Sequence, residues 1–164
     1  MKTLHIAFMW HMHQPMYKDN LSGQYHLPWV RLHALKGYYD MAELLTCFPD
    51  IQATFNLTPS LLTQIAEYSS DKMPSDIFYQ LSMKDAGSLE HGEKKFILAN
   101  FFMNNWQTVV HPHPRYCELL RKRGASYDVS KAGEIINRFS DQDFCDLQAL
   151  FNLHWFGYAY KRNT

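Results

Sequence analysis

Cysteine is scarce in this chain of 164 residues: Cys47, Cys117 and Cys145 are odd in number, far apart and never in C-x-x-C spacing. That fits reduced thiols better than a disulfide framework or a zinc ribbon. Long apolar runs are missing as well. No window approaches the roughly 18 apolar residues of a membrane-spanning helix, and the first residues show no basic n-region, apolar stretch or small-residue cleavage site. A soluble, cytoplasmic protein is the expectation. Nor is there an excess of one charge, because 16 basic and 16 acidic residues cancel without forming a like-charge block. Nucleic acid and anionic membrane therefore lack electrostatic support as partners, and the expected ligand is uncharged or small. No internal repeat or low-complexity segment occurs. What is plentiful is apolar: 46% hydrophobic and 15% aromatic content excludes a disordered polypeptide. The length suffices for one real core, as a single domain or a piece of a larger one.

The most informative stretch is His11-Met12-His13-Gln14-Pro15. Leu4 to Trp10 before it reads as a buried core strand, because the run is short, apolar and followed by a Pro that cannot continue a central ladder. Side chains two apart share a face of a strand, so His11 and His13 project together. Met16 to Pro28 reads as a loop with Asn20, Ser22 and Gly23 as turn residues. A helix from about Val30 to Phe48 follows from the spacing of Leu32, Leu35, Tyr39, Ala42 and Leu45, and Pro49-Asp50 ends it. Ile51 to Leu57 reads as a second strand, and Thr58-Pro59 opens a helix through Tyr68, with Pro favourable in the first turn. A crossover of this length implies two parallel neighbours, with a barrel or a doubly wound sheet as the natural parent.

From Ser75 to Trp155 the pattern holds helices and no convincing strand: Asp76 to Met83, Glu93 to Trp106, Pro114 to Lys122, Ser130 to Phe139 and Asp141 to Tyr158. Ser140 is placed to cap the last of these, with Asp143 three residues on in a near capping box. Its face of Phe144, Leu147, Leu150, Phe151, Trp155 and Tyr158 reads as core. Two strands neither close a barrel nor cover so much apolar helix, so the chain reads as a fragment of a larger fold.

Several strings in order resemble the N-terminal part of glycoside hydrolase family 57. They are His-Met-His-Gln-Pro after the first strand, Leu27-Pro28-Trp29-Val30-Arg31-Leu32-His33-Ala34, Tyr38-Tyr39-Asp40-Met41-Ala42 and Thr54-Phe55-Asn56-Leu57-Thr58-Pro59-Ser60-Leu61. The run from Phe144 to Gly157 resembles the helical stretch that follows in amylase-like and amylopullulanase-like members. Each string alone is weak, but ordered over nearly the whole chain they are specific. The resemblance implies an α/β fold, the β-α-β-α start of an incomplete seven-stranded (β/α) barrel followed by a mostly helical region. Residues 1–68 form the first two β/α units, and residues 69–164 a helical continuation of the same catalytic domain. It also implies a retaining enzyme on α-glucan or maltooligosaccharide, with a Glu nucleophile and an Asp general acid from motifs downstream of this segment. No cofactor or metal is expected, and oligomeric state stays open.

Retaining chemistry needs two carboxyl groups roughly 5 Å apart across the scissile bond. Asp40, Glu43, Glu67, Glu90, Glu93, Glu118, Glu134, Asp143 and Asp146 all fall on helix faces or polar loops and read as solvated surface groups. The binding half of the work falls to strand ends. The family's first motif implies that His13 and Gln14 with Pro15 line the donor sugar subsite, and His11 joins by its shared face. Trp10 or Trp29 offers an apolar wall. Met16 departs from the aromatic that relatives often carry after the Pro, leaving stacking there to Tyr17. Trp29, Arg31 and His33 either face the pocket or lock the loop, and Asn56 either presents its amide to the site or serves as a helix-entry turn residue. His111-Pro112-His113-Pro114 reads as a rigid turn rather than a metal site, because no acidic or Cys ligand lies near. Two other classes stay open: a metal-dependent deacetylase-like hydrolase, disfavoured because no Asp accompanies His11 and His13, and a non-catalytic carbohydrate-binding piece.

Overall fold

The computed structural model describes residues 3–72 and 74–162. In chain order they form β1 (Met9–Met12), α1 (Trp29–His33), a π turn (Ala34–Tyr38), α2 (Tyr39–Thr46), β2 (Thr54–Leu57), α3 (Pro59–Tyr68) and α4 (Ile77–Met83). Then come α5 (His91–Asn100), a second π turn (Trp106–Val110), α6 (Pro114–Arg123), α7 (Ala132–Ile136), α8 (Asp141–Leu153) and α9 (Tyr158–Arg162). The chain is mixed α/β, mostly helical with one small parallel sheet. It divides into two compact units, one of residues up to Ile77 together with those from Phe156 on, the other Phe78–Trp155.

In the first unit β1 pairs with β2 in parallel, with Met9 opposite Thr54, Trp10 opposite Phe55, His11 opposite Asn56 and Met12 opposite Leu57. The expected first strand is displaced. Leu4, Ile6, Phe8 and Met9 are exposed rather than buried, at 82%, 69%, 55% and 68%. A strand is buried on both faces only when layers cover both, and the paired register with β2 begins only at Met9, with the Phe8 carbonyl accepting from the Thr54 amide. The second strand likewise begins at Thr54 instead of Ile51. One core cluster of this unit is Met12, Val30 and Leu61, with Tyr17, Tyr38, Met41, Phe55, Ile65 and Tyr68 packed against it, and Leu32 and Tyr25 are buried as well. Helix α3 runs over the residues its signals indicate, with Thr58 extended before Pro59 at the first turn. The single long helix expected over 30–48 is broken at Ala34–Tyr38 by the π turn.

The second unit is helical around stacked rings. Phe101 lies 4.5 Å from Phe151 and 6.1 Å from Phe78, centroid to centroid, and Phe101, Phe144, Phe151 and Leu147 are fully buried. Helix α5 starts earlier than the apolar pattern indicates because Glu90 and Glu93 close a capping box, and it stops at Asn100 instead of running to Trp106. Helix α8 carries the expected box: Ser140 Oγ accepts from the Asp143 amide and Asp143 Oδ2 accepts from the Ser140 amide. It ends at Leu153 rather than Tyr158. Beyond it, within the first unit, Gly157 donates to Leu35 O, and the Asp40 carboxylate accepts from the amides of Tyr158 and Ala159, which starts α9 instead. Tyr158 is correspondingly 72% exposed and not part of a core. The expected helix over 130–139 is only α7, preceded by a short 3-10 turn.

Asp143 is a further departure. Instead of a solvated carboxylate it is buried, paired with Arg115 Nη2 at 2.7 Å and with Lys122. Burial opposes its charge, but the hydrogen bonds from Lys122, the Ser140 amide and Arg115 overcome that and hold its carboxyl well below the usual range. Cys47, Cys117 and Cys145 are free thiols. Among the described residues no helix is long and apolar enough to cross a membrane.

Candidate functional site

The alternation of β1 sorts its side chains. Met12 enters the core at 4% exposure, so His11 and His13 on either side of it face outward, both exposed. Their ring centroids are 5.9 Å apart. The parallel register sets Asn56 of β2 beside His11, and His11 Nδ1 lies 3.2 Å from Asn56 Oδ1. A carboxamide oxygen only accepts, so Nδ1 carries the proton in that contact. The face thus offers two imidazoles and an amide, groups that can pair with hydroxyls as donors and acceptors.

The chain turns just after the histidines, and α3 holds the turn. The Met12 carbonyl accepts from the Thr58 amide, Ser60 Oγ donates to Gln14 O at 2.8 Å, and Gln64 Nε2 donates to Pro15 O at 3.0 Å. Gln64 Oε1 accepts from the Tyr17 amide at 2.9 Å, and this fully buried residue thereby clamps both sides of Pro15-Met16. Gln14 is held at both ends of its carboxamide: Nε2 donates to Tyr38 Oη at 3.0 Å, and Oε1 accepts from Tyr17 Oη at 2.9 Å. The Tyr38 hydroxyl donates in turn to His13 O at 3.3 Å. Burial, and secondarily the neighbouring Tyr38, raises the Tyr17 hydroxyl, so it stays protonated as a donor.

Helical spacing divides the three candidates of α1. Trp29 and His33 are four apart and share a face, with centroids 6.2 Å apart, and His33 is 6.4 Å from Tyr38, which links them to the His-Gln-Pro turn. Burial, then the charge of Lys36, lowers the His33 pKa and keeps that ring neutral. Arg31, two residues from each, points to the other side. It is buried, with Nε 3.6 Å from Asp76 Oδ2, and Asp76 also accepts from Tyr68 Oη at 2.8 Å. A second cluster pins the loop over residues 16–28: Glu67 accepts from Lys18 Nζ at 2.8 Å and from Tyr25 Oη at 2.9 Å. Trp10 lies edge-on to Phe55 at 5.1 Å.

Sequence reasoning missed Tyr38, Ser60 and Gln64. Tyr38 lay inside one of the strings quoted above, and Gln64 three residues from Leu61 was the polar member of a buried helix face. Elsewhere the His-Pro-His-Pro segment is a helix start, His113 Nδ1 accepting from the Tyr116 amide at the N-cap of α6. Among the described residues no three His, Cys, Asp or Glu side chains come together as a metal site.

The class of protein follows from comparison with known sequences. The profile described as Glycosyl hydrolase family 57 matches residues 7–163, from β1 to the end of α9. The chain belongs to glycosyl hydrolase family 57. No curated protein and no solved structure matches it.

Proposed function

We propose that this chain forms the sugar-contacting part of a retaining, α-glucan-active glycoside hydrolase or glucanotransferase. Family membership supports the reaction class. The observation that carries the contact role is the outward face shared by His11, His13 and Asn56 at the ends of two parallel strands. Ends of parallel strands are where β/α enzymes gather their ligands. In this reading His11 Nε2 accepts from a sugar hydroxyl, His13 and Asn56 make further hydroxyl contacts, and Gln14 borders the same subsite. Trp29 and His33 stand behind them through Tyr38, while Arg31 serves by holding α1 to Asp76. The nucleophile and the general acid belong to polypeptide outside these 164 residues, so the isolated chain binds maltooligosaccharide without turning it over. A soluble, cytoplasmic setting and an incomplete (β/α) barrel belong to the same proposal.

The test is a titration of isotope-labelled protein with maltooligosaccharides, read by NMR at His11, His13 and Asn56. Saturable shifts at these residues are the expected result. His13→Ala weakens binding by about tenfold, some 1.4 kcal/mol, while leaving thermal unfolding in place. Loss of binding together with an equal loss of melting temperature assigns the pair to a structural network instead. Absence of any saturable shift overturns the proposal.

A further inference from the structure

Two independent features meet at Tyr38. The first is irregular backbone: the helix that carries it widens into a π turn over Ala34–Tyr38, an arrangement that is uncommon and frequently found at functional sites. The second is a proton count. The Tyr38 hydroxyl has one proton, and His13 O, a pure acceptor 3.3 Å away, takes it. Its contact with Gln14 at 3.0 Å must therefore be accepted from the Nε2 amino group. The Tyr17 hydroxyl, 2.9 Å from Oε1, donates. The two tyrosines thus fix which end of the Gln14 carboxamide is oxygen and which is nitrogen, leaving one amide proton and one lone pair in set directions. The same Tyr38 oxygen holds the backbone of His13.

We infer that Tyr38 is a positioning residue: its hydroxyl, aimed by the π turn, orients the Gln14 carboxamide and the His13 backbone, so that carbohydrate affinity depends on a tyrosine that does not touch the sugar. This rests on the reading of His13 and Gln14 as sugar contacts. The ring of Tyr38 packs on the Met12, Val30 and Leu61 core, so removing the hydroxyl alone keeps the packing and loses the orientation.

The experiment is a double-mutant cycle of Tyr38→Phe and Gln14→Met, with Kd for maltoheptaose measured alongside thermal unfolding. Tyr38→Phe is expected to raise Kd about fivefold to tenfold, and to raise it by clearly less in the Gln14→Met background, because part of its effect runs through Gln14 and the rest through the His13 backbone. Additive losses make Tyr38 a direct sugar contact, and an unchanged Kd makes it structural; either result overturns the inference. If the unsubstituted protein binds no maltooligosaccharide, the functional proposal fails by itself. The positioning claim is then read in the free protein from the Gln14 side-chain amide by NMR. Tyr38→Phe should shift that resonance and speed its exchange, and an unmoved resonance overturns the claim.

Discussion

The two units of this chain solve stability in different ways. The second buries a stack of aromatic rings, Phe78, Phe101 and Phe151, beneath helices whose ends are capped by their own sequence, Glu90 with Glu93 and Ser140 with Asp143. The first has a smaller apolar centre, Met12, Val30 and Leu61, and surrounds it with polar ties: Gln64 across Pro15-Met16, Tyr38 and Tyr17 on Gln14, Asp76 under Arg31, Glu67 between Lys18 and Tyr25. Ring stacking is tolerant of small shifts, because dispersion is summed over many weak contacts. Directional hydrogen bonds are not tolerant, and they hold side chains at set angles. The unit that carries the histidine face is the one organised by direction.

Changes that separate the two units sharpen this contrast. The largest effect is expected for Phe151→Ala, which empties a fully buried site beside Phe101 and should lower unfolding free energy by about 3–5 kcal/mol in a denaturant titration. Sugar-induced shifts at His11 should survive under conditions where the variant remains folded. If both are lost together, the units are not separable.

Next comes Asp143→Asn. It breaks a buried carboxylate's pairing with two cations that are themselves about one-third exposed, so a loss of roughly 2–3 kcal/mol is expected, below that of a fully buried pair. The pH dependence has a defined sign. The folded pKa of Asp143 lies below its unfolded value. Its stabilisation is therefore complete above the unfolded carboxylate range near about pH 4 and is lost as pH falls through the lower folded value. Acid unfolding of Asp143→Asn should be flatter in that window, and an unchanged acid limb would show that the ion cluster contributes nothing.

Gly157→Ala tests the first unit. A methyl at this position overlaps the Asp40 carboxylate that starts α9, so a loss of about 1–3 kcal/mol is expected, the range of overpacking. Asp40→Ala in the same background removes the overlap, and the double variant should be less destabilised than the sum of the two. The smallest effect on stability belongs to Asn56→Ala, within about 0.5 kcal/mol because the residue is exposed. Its consequence should appear instead as a weaker maltooligosaccharide affinity and a freed His11 tautomer, measured from the ring nitrogen shifts.

Much of this was legible in the residues. Pro59 behind Thr58 marked α3, Ser140 with Asp143 marked α8, and the period-two spacing of His11 and His13 put both rings on one face, because capping, proline geometry and strand alternation act over a few residues. The first strand was misjudged because an apolar run reveals hydrophobicity but not whether anything covers it, and Leu4, Ile6 and Phe8 lie exposed. The candidates on α1 were left undivided although their spacing, 29 and 33 against 31, already separated them.

By itself the sequence determined the family, the order of strands and helices in the first 68 residues, and the pairing of two histidines on one edge. Tertiary structure alone decided that Asn56 lies against His11, that Tyr38 reaches Gln14 and His13, and that the Asp40 carboxylate takes the amide of Tyr158 at the start of α9. The reason is one of range. Local preferences concern groups a few residues apart, whereas these contacts join groups 24 to 118 residues apart, which only the folded chain brings within hydrogen-bond distance.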